Sequence, residues 1–156
     1  YGDINVTLHS SWVGGIVGFS MIGEVYNSDN KGVSISGYGI LGGIVGINGM
    51  SGSIRLCYNY ANVTYTYYKE SGCAAGIVGK NNYNGTIKAC RNAGTIGYGG
   101  NYALNSNNRP CMAQIVGWNT SGTLSGNTCA GKCDFKNMTL GQKKYCKDGE
   151  VGRTGE

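Results

Sequence analysis

The tetrapeptide Gly-Ile-Val-Gly occurs at Gly15–Gly18, Gly43–Gly46 and Gly76–Gly79, and Gln114-Ile115-Val116-Gly117 is a fourth copy. The match runs on past the tetrapeptide. A small polar residue follows two places later (Ser20, Asn48, Asn81, Asn119), and then Gly-x-Val/Ile/Leu at Gly23–Val25, Gly52–Ile54, Gly85–Ile87 and Gly122–Leu124. A third element reads Asn30-Lys31-Gly32-Val33, Asn59-Tyr60-Ala61-Asn62-Val63 and Asn92-Ala93-Gly94-Thr95-Ile96, and degrades to Asn127-Thr128-Cys129-Ala130-Gly131 in the last copy. The first Ile recurs at 16, 44, 77 and 115, at intervals of 28, 33 and 38 residues. Self-similarity at this period marks a unit that buries its apolar face only by stacking on its neighbours.

Each copy reads as three strands of 3 to 5 residues separated by Gly and Asn, the residues that accept positive φ at turns. Composition supports strands over helices: 29 glycines and 12 tyrosines stand against only 18 Leu, Ala and Glu together. Glycine has no three-residue period and there is one proline, Pro110, which excludes collagen, while 40% hydrophobic content disfavours disorder. The expected fold is all-β: a right-handed parallel β-helix, or β-solenoid, of about four rungs with variable loops on one corner. Residues 1–131 form the repeats and residues 132–156 a cysteine-containing C-terminal cap or tail. Ile16, Ile44, Ile77 and Ile115 are expected to point inward as one column, as are Val25, Ile54, Ile87 and Leu124. Strand alternation then turns Val17, Val45, Val78 and Val116 outward or into a corner. No apolar run approaches a membrane span. The net charge of +5 is dispersed, the closest lysines being Lys143 and Lys144, which excludes the dense basic stripe of a nucleic-acid binder.

These segments resemble the GLUG motif repeat: Gly42–Val63 carries its Gly-Gly-Ile/Leu-Val-Gly-x-Asn core, Gly-x-Ile strand and Cys/Ser-Tyr-Asn-x-Gly-x-Val segment almost in full. The resemblance covers residues 11–131, with Ser20 in place of Asn in the first copy and Gln114 in place of Gly in the fourth. It implies β-helical arrays of large secreted or surface-attached microbial proteins, adhesins among them, and so implies location more than activity.

Residues for catalysis are sparse. The single histidine, His9, lies in the alternating stretch Ile4–Leu8 and reads as an ordinary edge-strand residue. The eight acids are scattered; Glu24 and Asp29 share a repeat, and Ser53, Thr86 and Thr123 occupy the Glu24 position elsewhere, so no acid/base pair is expected. Gly126–Cys133 nearly spells a phosphate-binding loop but ends in Cys where Ser/Thr belongs. The chain is therefore expected to be non-catalytic, with no cofactor and no metal; Cys129, Cys133 and Cys146 make a poor zinc set without a nearby His. Aligning the repeats puts Ser28, Cys57 and Cys90 in one column and Trp12, Ile40, Cys73 and Cys111 in another. Parallel rungs bring such neighbours within disulfide range, so Cys73/Cys111 and Cys57/Cys90 are candidate disulfides, the alternative being small buried hydrophobes. Seven cysteines leave at least one thiol free or bonded elsewhere. Sequons at Asn5, Asn62, Asn84, Asn119 and Asn137 are candidate glycosylation sites.

The corner that lengthens from Ser34–Gly42 through Thr64–Ala75 to Gly97–Ala113 gathers Tyr38, Tyr65, Tyr67, Tyr68, Tyr98 and Tyr102. These are candidate contact residues for a glycan or protein, with core packing as the alternative. The function expected is an extracellular or cell-surface structural or adhesive module, a glycoprotein forming surface, matrix or self-assembly contacts, such as a filament subunit. The alternative is a carbohydrate-binding module or non-catalytic segment of a secreted polysaccharide- or protein-degrading enzyme. The strand pattern at Ile4–Leu8 leaves no N-terminal cap, which predicts head-to-tail self-association or flanking parts of a longer chain.

Overall fold

A computed structural model describes residues 2–8, 11–66, 72–100, 110–136, 138 and 142–155. Each repeat contains five strands rather than three. The first holds β1 (Gly2–Val6), β2 (Trp12–Gly14), β3 (Val17–Ser20), β4 (Glu24–Tyr26) and β5 (Asp29–Asn30). The second holds β6 (Val33–Gly37), β7 (Ile40–Gly42), β8 (Val45–Asn48), β9 (Ser53–Arg55) and β10 (Tyr58–Asn59). The third holds β11 (Val63–Tyr65), β12 (Cys73–Ala75), β13 (Val78–Asn81), β14 (Thr86–Lys88) and β15 (Arg91–Asn92). The fourth holds β16 (Thr95–Tyr98), β17 (Cys111–Ala113), β18 (Val116–Asn119), β19 (Thr123–Ser125) and β20 (Thr128–Cys129). Then come β21 (Lys132–Asp134), a 3-10 turn at Gln142–Tyr145, and β22 (Val151–Thr154).

Each strand from β1 to β16 pairs in parallel with the strand five places on, giving five parallel sheets that each take one strand from each repeat. The registers are those of the motif: Val17, Val45, Val78, Val116 and Val151 pair in one row, and Val25, Ile54, Ile87 and Leu124 in another. One extra strand in each repeat is the three-residue piece ahead of the tetrapeptide, such as Ile40–Gly42, and the other is a two-residue piece such as Asp29–Asn30, too short to carry a period and set off by a left-handed residue. That residue is Asn27, Leu56, Ala89 or Gly126, at φ 48, 51, 53 and 64 respectively, so one column of the stack demands the left-handed conformation whatever side chain it receives.

The core lies in two adjoining groups. One joins Ile35, Leu41, Val63, Tyr65, Ala74, Ile96, Tyr98 and Met112; the other joins Ile44, Val45, Ile54, Ile77, Val78, Ile87, Ile115 and Val116. Ile44, Ile77 and Ile115 are fully buried as expected, whereas Ile16 is 43% exposed because, among the described residues, no strand pairs with the outer side of β3. Val45, Val78 and Val116 are also fully buried. The Ile sits on the bend before the strand, so alternation does not separate the two and both fill the corner.

Two columns of asparagine run through the stack. Asn48 Nδ2 donates to Asn81 Oδ1 at 2.8 Å and Asn81 Nδ2 to Asn119 Oδ1 at 2.9 Å, while the three Nδ2 groups also reach the backbone carbonyls of Gly52, Gly85 and Gly122. Asn30, Asn59 and Asn92 form the second, linked at 3.1 and 2.9 Å. Asn48, Asn59, Asn81 and Asn92 have no exposed surface, and interior amides this dry stay only because they are hydrogen-bonded. Register also corrects the alignment of the last copy: Cys129, not Asn127, stands opposite Asn92. That substitution explains Gln114. A Cβ at Gly76 would run into the Asn92 side chain, as one at Gly43 would into Asn59. With cysteine in the asparagine position of the fourth repeat, Gln114 fits: its Oε1 accepts from Gly131 N at 2.9 Å and its Nε2 donates to Asp148 at 2.5 Å.

The segment after 131 joins the stack. β21 pairs with β16, Cys146 bridges to Met112, and β22 pairs with β18, so 149–154 is a fifth, degenerate copy of the tetrapeptide strand reduced to Val151-Gly152. Among the described residues no helix is long and apolar enough to cross a membrane.

Candidate functional site

Two of the tyrosines assigned to the lengthening corner, Tyr65 and Tyr98, are not presented to solvent. Tyr65 and Tyr98 end strands β11 and β16 as a register pair, and both are buried in the core, so they are packing residues and not contacts. Tyr65 fits because Gly37 stands opposite it and Gly72 leaves room for its ring. Burial pushes the Tyr98 hydroxyl above its ordinary pKa. Tyr38 is half-buried. Tyr67, Tyr68 and Tyr102 lie outside the described residues, as does His9.

Both cysteine pairs are brought side by side. Cys73 and Cys111 are register partners, and Cys57 and Cys90 precede the register pair Tyr58 and Arg91. All four are buried as reduced thiols and not joined as disulfides. Hydrogen bonding within each pair splits its acidities: the Cys90 thiol holds Cys57 down at about 7 and is itself pushed up, and Cys111 is lowered while Cys73 is raised. Cys57 also lies 3.2 Å from the Arg55 carbonyl, and Cys90 3.4 Å from that of Lys88.

Among the described residues, Glu24, Asp29, Asp134, Asp148 and Glu150 each have a partner of their own. Glu24 pairs with Arg55 at 2.5 Å, and this bond holds its carboxyl below the ordinary range; Asp29 pairs with Lys31 at 3.3 Å. Glu150 accepts from Asn127 at 2.8 Å. Among the described residues no group of three His, Cys, Asp or Glu side chains is placed to hold a metal ion.

Of the sequons, Asn5, Asn62 and Asn84 are exposed and Asn137 lies outside the described residues. Asn119 is not an acceptor site in the folded chain. Its Nδ2 is committed to Gly122 O at 2.9 Å and its Oδ1 to the amide ladder, so a glycan there requires the ladder to break.

Among the described residues, two surfaces are explained by neither core nor turns. One is the outer edge of the first repeat, where Trp12, Ile16 and Phe19 are 53%, 43% and 41% exposed, Met21 and Ile22 join them, and Trp12 packs on Phe19 with ring centroids 5.2 Å apart. The other is a groove of about 270 Å3 lined by Lys80, Asn82, Tyr83, Trp118, Thr120 and Ser121. The outward row through β3, β8, β13, β18 and β22 reads Phe19, Ile47, Lys80, Trp118, Arg153. Lys80 Nζ lies 3.8 Å and Arg153 Cζ 4.1 Å from the Trp118 ring centroid, and Trp118 Nε1 donates to Gly155 O at 2.5 Å. Beside them Tyr83 is 69% exposed. Its turn is fixed by Gly85 N donating to Asn82 O at 3.1 Å and Ser51 N to Tyr83 O at 3.0 Å. Sequence reasoning misses this groove because its residues sit where the repeat changes side chain from copy to copy.

No protein family, curated protein or solved structure matches the chain, so the motif resemblance stands on its quoted residues alone.

Proposed function

We propose that this chain is a GLUG-like right-handed β-solenoid segment of an extracellular or cell-surface protein, non-catalytic, which builds an extended scaffold by stacking repeat on repeat. The observation that carries this reading is the contrast between the two ends of one column. Ile44, Ile77 and Ile115 are fully buried, while Ile16, with Trp12 and Phe19 beside it, is bare. An unpaired strand edge carrying large apolar side chains is a template for another strand. The partner that matches it is a further repeat of the same kind, from a second copy or from flanking sequence. Exposed sequons at Asn5, Asn62 and Asn84 support an extracellular setting.

Light scattering, electron microscopy and hydrogen exchange on the 156-residue chain test it. The expected result is concentration-dependent head-to-tail assembly, or a monomer whose strands β1–β5 exchange faster than β11–β15. Trp12→Asp with Phe19→Ser abolishes the assembly. A monodisperse monomer with its first strands as protected as its third repeat would overturn the proposal.

A further inference from the structure

We propose that the groove between Tyr83 and Trp118 is a binding site for an acidic saccharide, a sugar ring bearing a carboxylate or a sulfate. Three features converge. The first is Tyr83, whose ring stands out of the surface at 69% exposure on a turn held at φ 46, followed by Asn84 at φ 63. A large ring carried on a turn held by backbone hydrogen bonds gives contact area at the cost of ordering only two side-chain torsions, and its electron-rich face attracts the polarised C–H groups on one side of a sugar. On its other side lies a hollow of about 380 Å3 lined by Met50, Ser51, Tyr83 and Asn84, so the ring stands as a wall between two depressions.

The second is charge. Lys80 lines the groove, its ammonium held over Trp118, and Arg153 lies on the same ring. Among the described residues neither cation has a carboxylate partner, whereas Arg55, Lys31 and Lys136 each have one. No acid is among the residues that line the groove. Stacking on Trp118 fixes the ammonium without neutralising it, which leaves a positive charge ready for an anionic substituent. The third is the polar lining. Thr120 Oγ1 lies 3.1 Å from both the Asn81 carbonyl and Asn82 Oδ1, which orients the pair, and Ser121 is exposed. Such short hydroxyl and amide groups match the donors and acceptors of a sugar. The volume falls just below the ~300–1,000 Å3 of small-molecule sites, which suits one or two rings. The cations run on from Lys80 and Arg153 at Trp118 to Lys144, which with Arg153 lies on the Tyr145 ring, so a nucleic-acid strand is the rival occupant that the experiment separates.

Calorimetric titration with oligogalacturonate, with sulfated dextran and with neutral maltohexaose tests the site. Expected is binding to at least one acidic probe and none to the neutral one, the preferred probe separating carboxylate from sulfate. Lys80→Gln weakens it about tenfold or more and flattens its salt dependence; Tyr83→Ala weakens it comparably and Tyr83→Phe retains it. Both positions are outside the core, and an unchanged melting temperature for each variant confirms the fold. Absence of binding to every acidic probe overturns the proposal. So does binding that Lys80→Gln and Tyr83→Ala leave intact, or binding to a poly-uridine oligonucleotide as tight as to the saccharides.

Discussion

Replacing Ser20 by asparagine should make the protein more stable, and the reason is one atom. Asn81 Oδ1 and Asn119 Oδ1 each accept a hydrogen bond from the asparagine one repeat earlier, but Asn48 Oδ1 is buried and has no partner among the described residues. The residue paired with Asn48 in the first repeat is Ser20, too short to reach it. An orphaned buried acceptor costs about 1–3 kcal/mol. In Ser20→Asn the introduced side-chain amide restores the donor and, with the same three-residue loop that links Asn119 to Gly122, also reaches Gly23 O. Ordering the longer side chain takes back roughly 1 kcal/mol, leaving a net gain of about 1 kcal/mol. For a domain of this size that is an upward shift of about 2–4 °C in melting temperature. Urea melts followed by far-ultraviolet circular dichroism, with unchanged slope, give the free energy. Ser20→Asp is the control, since at pH 7 it has the same shape with no donor and sets a negative charge against Oδ1. If Ser20→Asn and Ser20→Asp give equal stability, the missing donor is not what limits this end of the ladder.

Leu56→Gly and Ala89→Gly should each stabilise by about 1 kcal/mol, because both residues hold left-handed backbone that only glycine adopts without strain; Lys88→Gly, one residue away in a strand, should destabilise in the same melts. Gly76→Ala forces a methyl into the Asn92 side chain and the Gln114 carbonyl and should lower stability by about 3 kcal/mol or more, whereas Gly2→Ala, with open space around it, should change nothing measurable. Ile77→Asp buries a carboxylate among stacked aliphatics and should leave the chain unfolded in circular dichroism, while Ile16→Asp at the exposed edge should fold; a soluble Ile77→Asp with unchanged melting sinks the column assignment. Glu24 has its pKa lowered on folding, so its pairing with Arg55 contributes fully above the ordinary carboxylate range and is lost as pH falls below it; both side chains are half exposed, so Glu24→Gln should lower melting at pH 7 only slightly and leave it unchanged in acid, where the carboxylate is protonated, and a larger loss in acid than at pH 7 would refute the pairing.

What can be read in the chain follows from what repeats. Burial at a fixed phase leaves the same residue type in every copy, so Ile44, Ile77 and Ile115 announce the core and Gly43 and Gly76 the close approach beside it. The amide ladders are visible in the sequence as positions and not as a device, because asparagine is equally at home in a turn and only register shows Asn48 above Asn81. Gln114 reads as decay of the motif, yet its meaning depends on Cys129, a pairing that only the register reveals. Tyr65 and Tyr98 are ambiguous in principle, since a tyrosine on a variable loop and one at a strand end read alike. The groove is illegible for the opposite reason: Lys80, Tyr83 and Trp118 are outward, non-repeating positions, and a site on one face of a regular stack is the place where the pattern says least.

The amide ladders have a direction. Every side-chain N–H that links one rung to the next points toward the later repeat, from Asn30 to Asn59 to Asn92 and from Asn48 to Asn81 to Asn119. The dipoles therefore add along each column, as peptide dipoles do along a helix, and the two ends of a column differ chemically: an amide oxygen stands at its start and an amide N–H group at its finish. A repeat stacked in the same sense continues a column where it brings asparagine to the matching position, and Ser20 and Cys129 are where the two columns break off. A repeat stacked in the reverse sense would set side-chain oxygen against side-chain oxygen where the column starts. In an assembly of the kind proposed above, the asparagine columns would act as a one-way ratchet on growth, favouring polar, head-to-tail extension over two-fold end-to-end pairing.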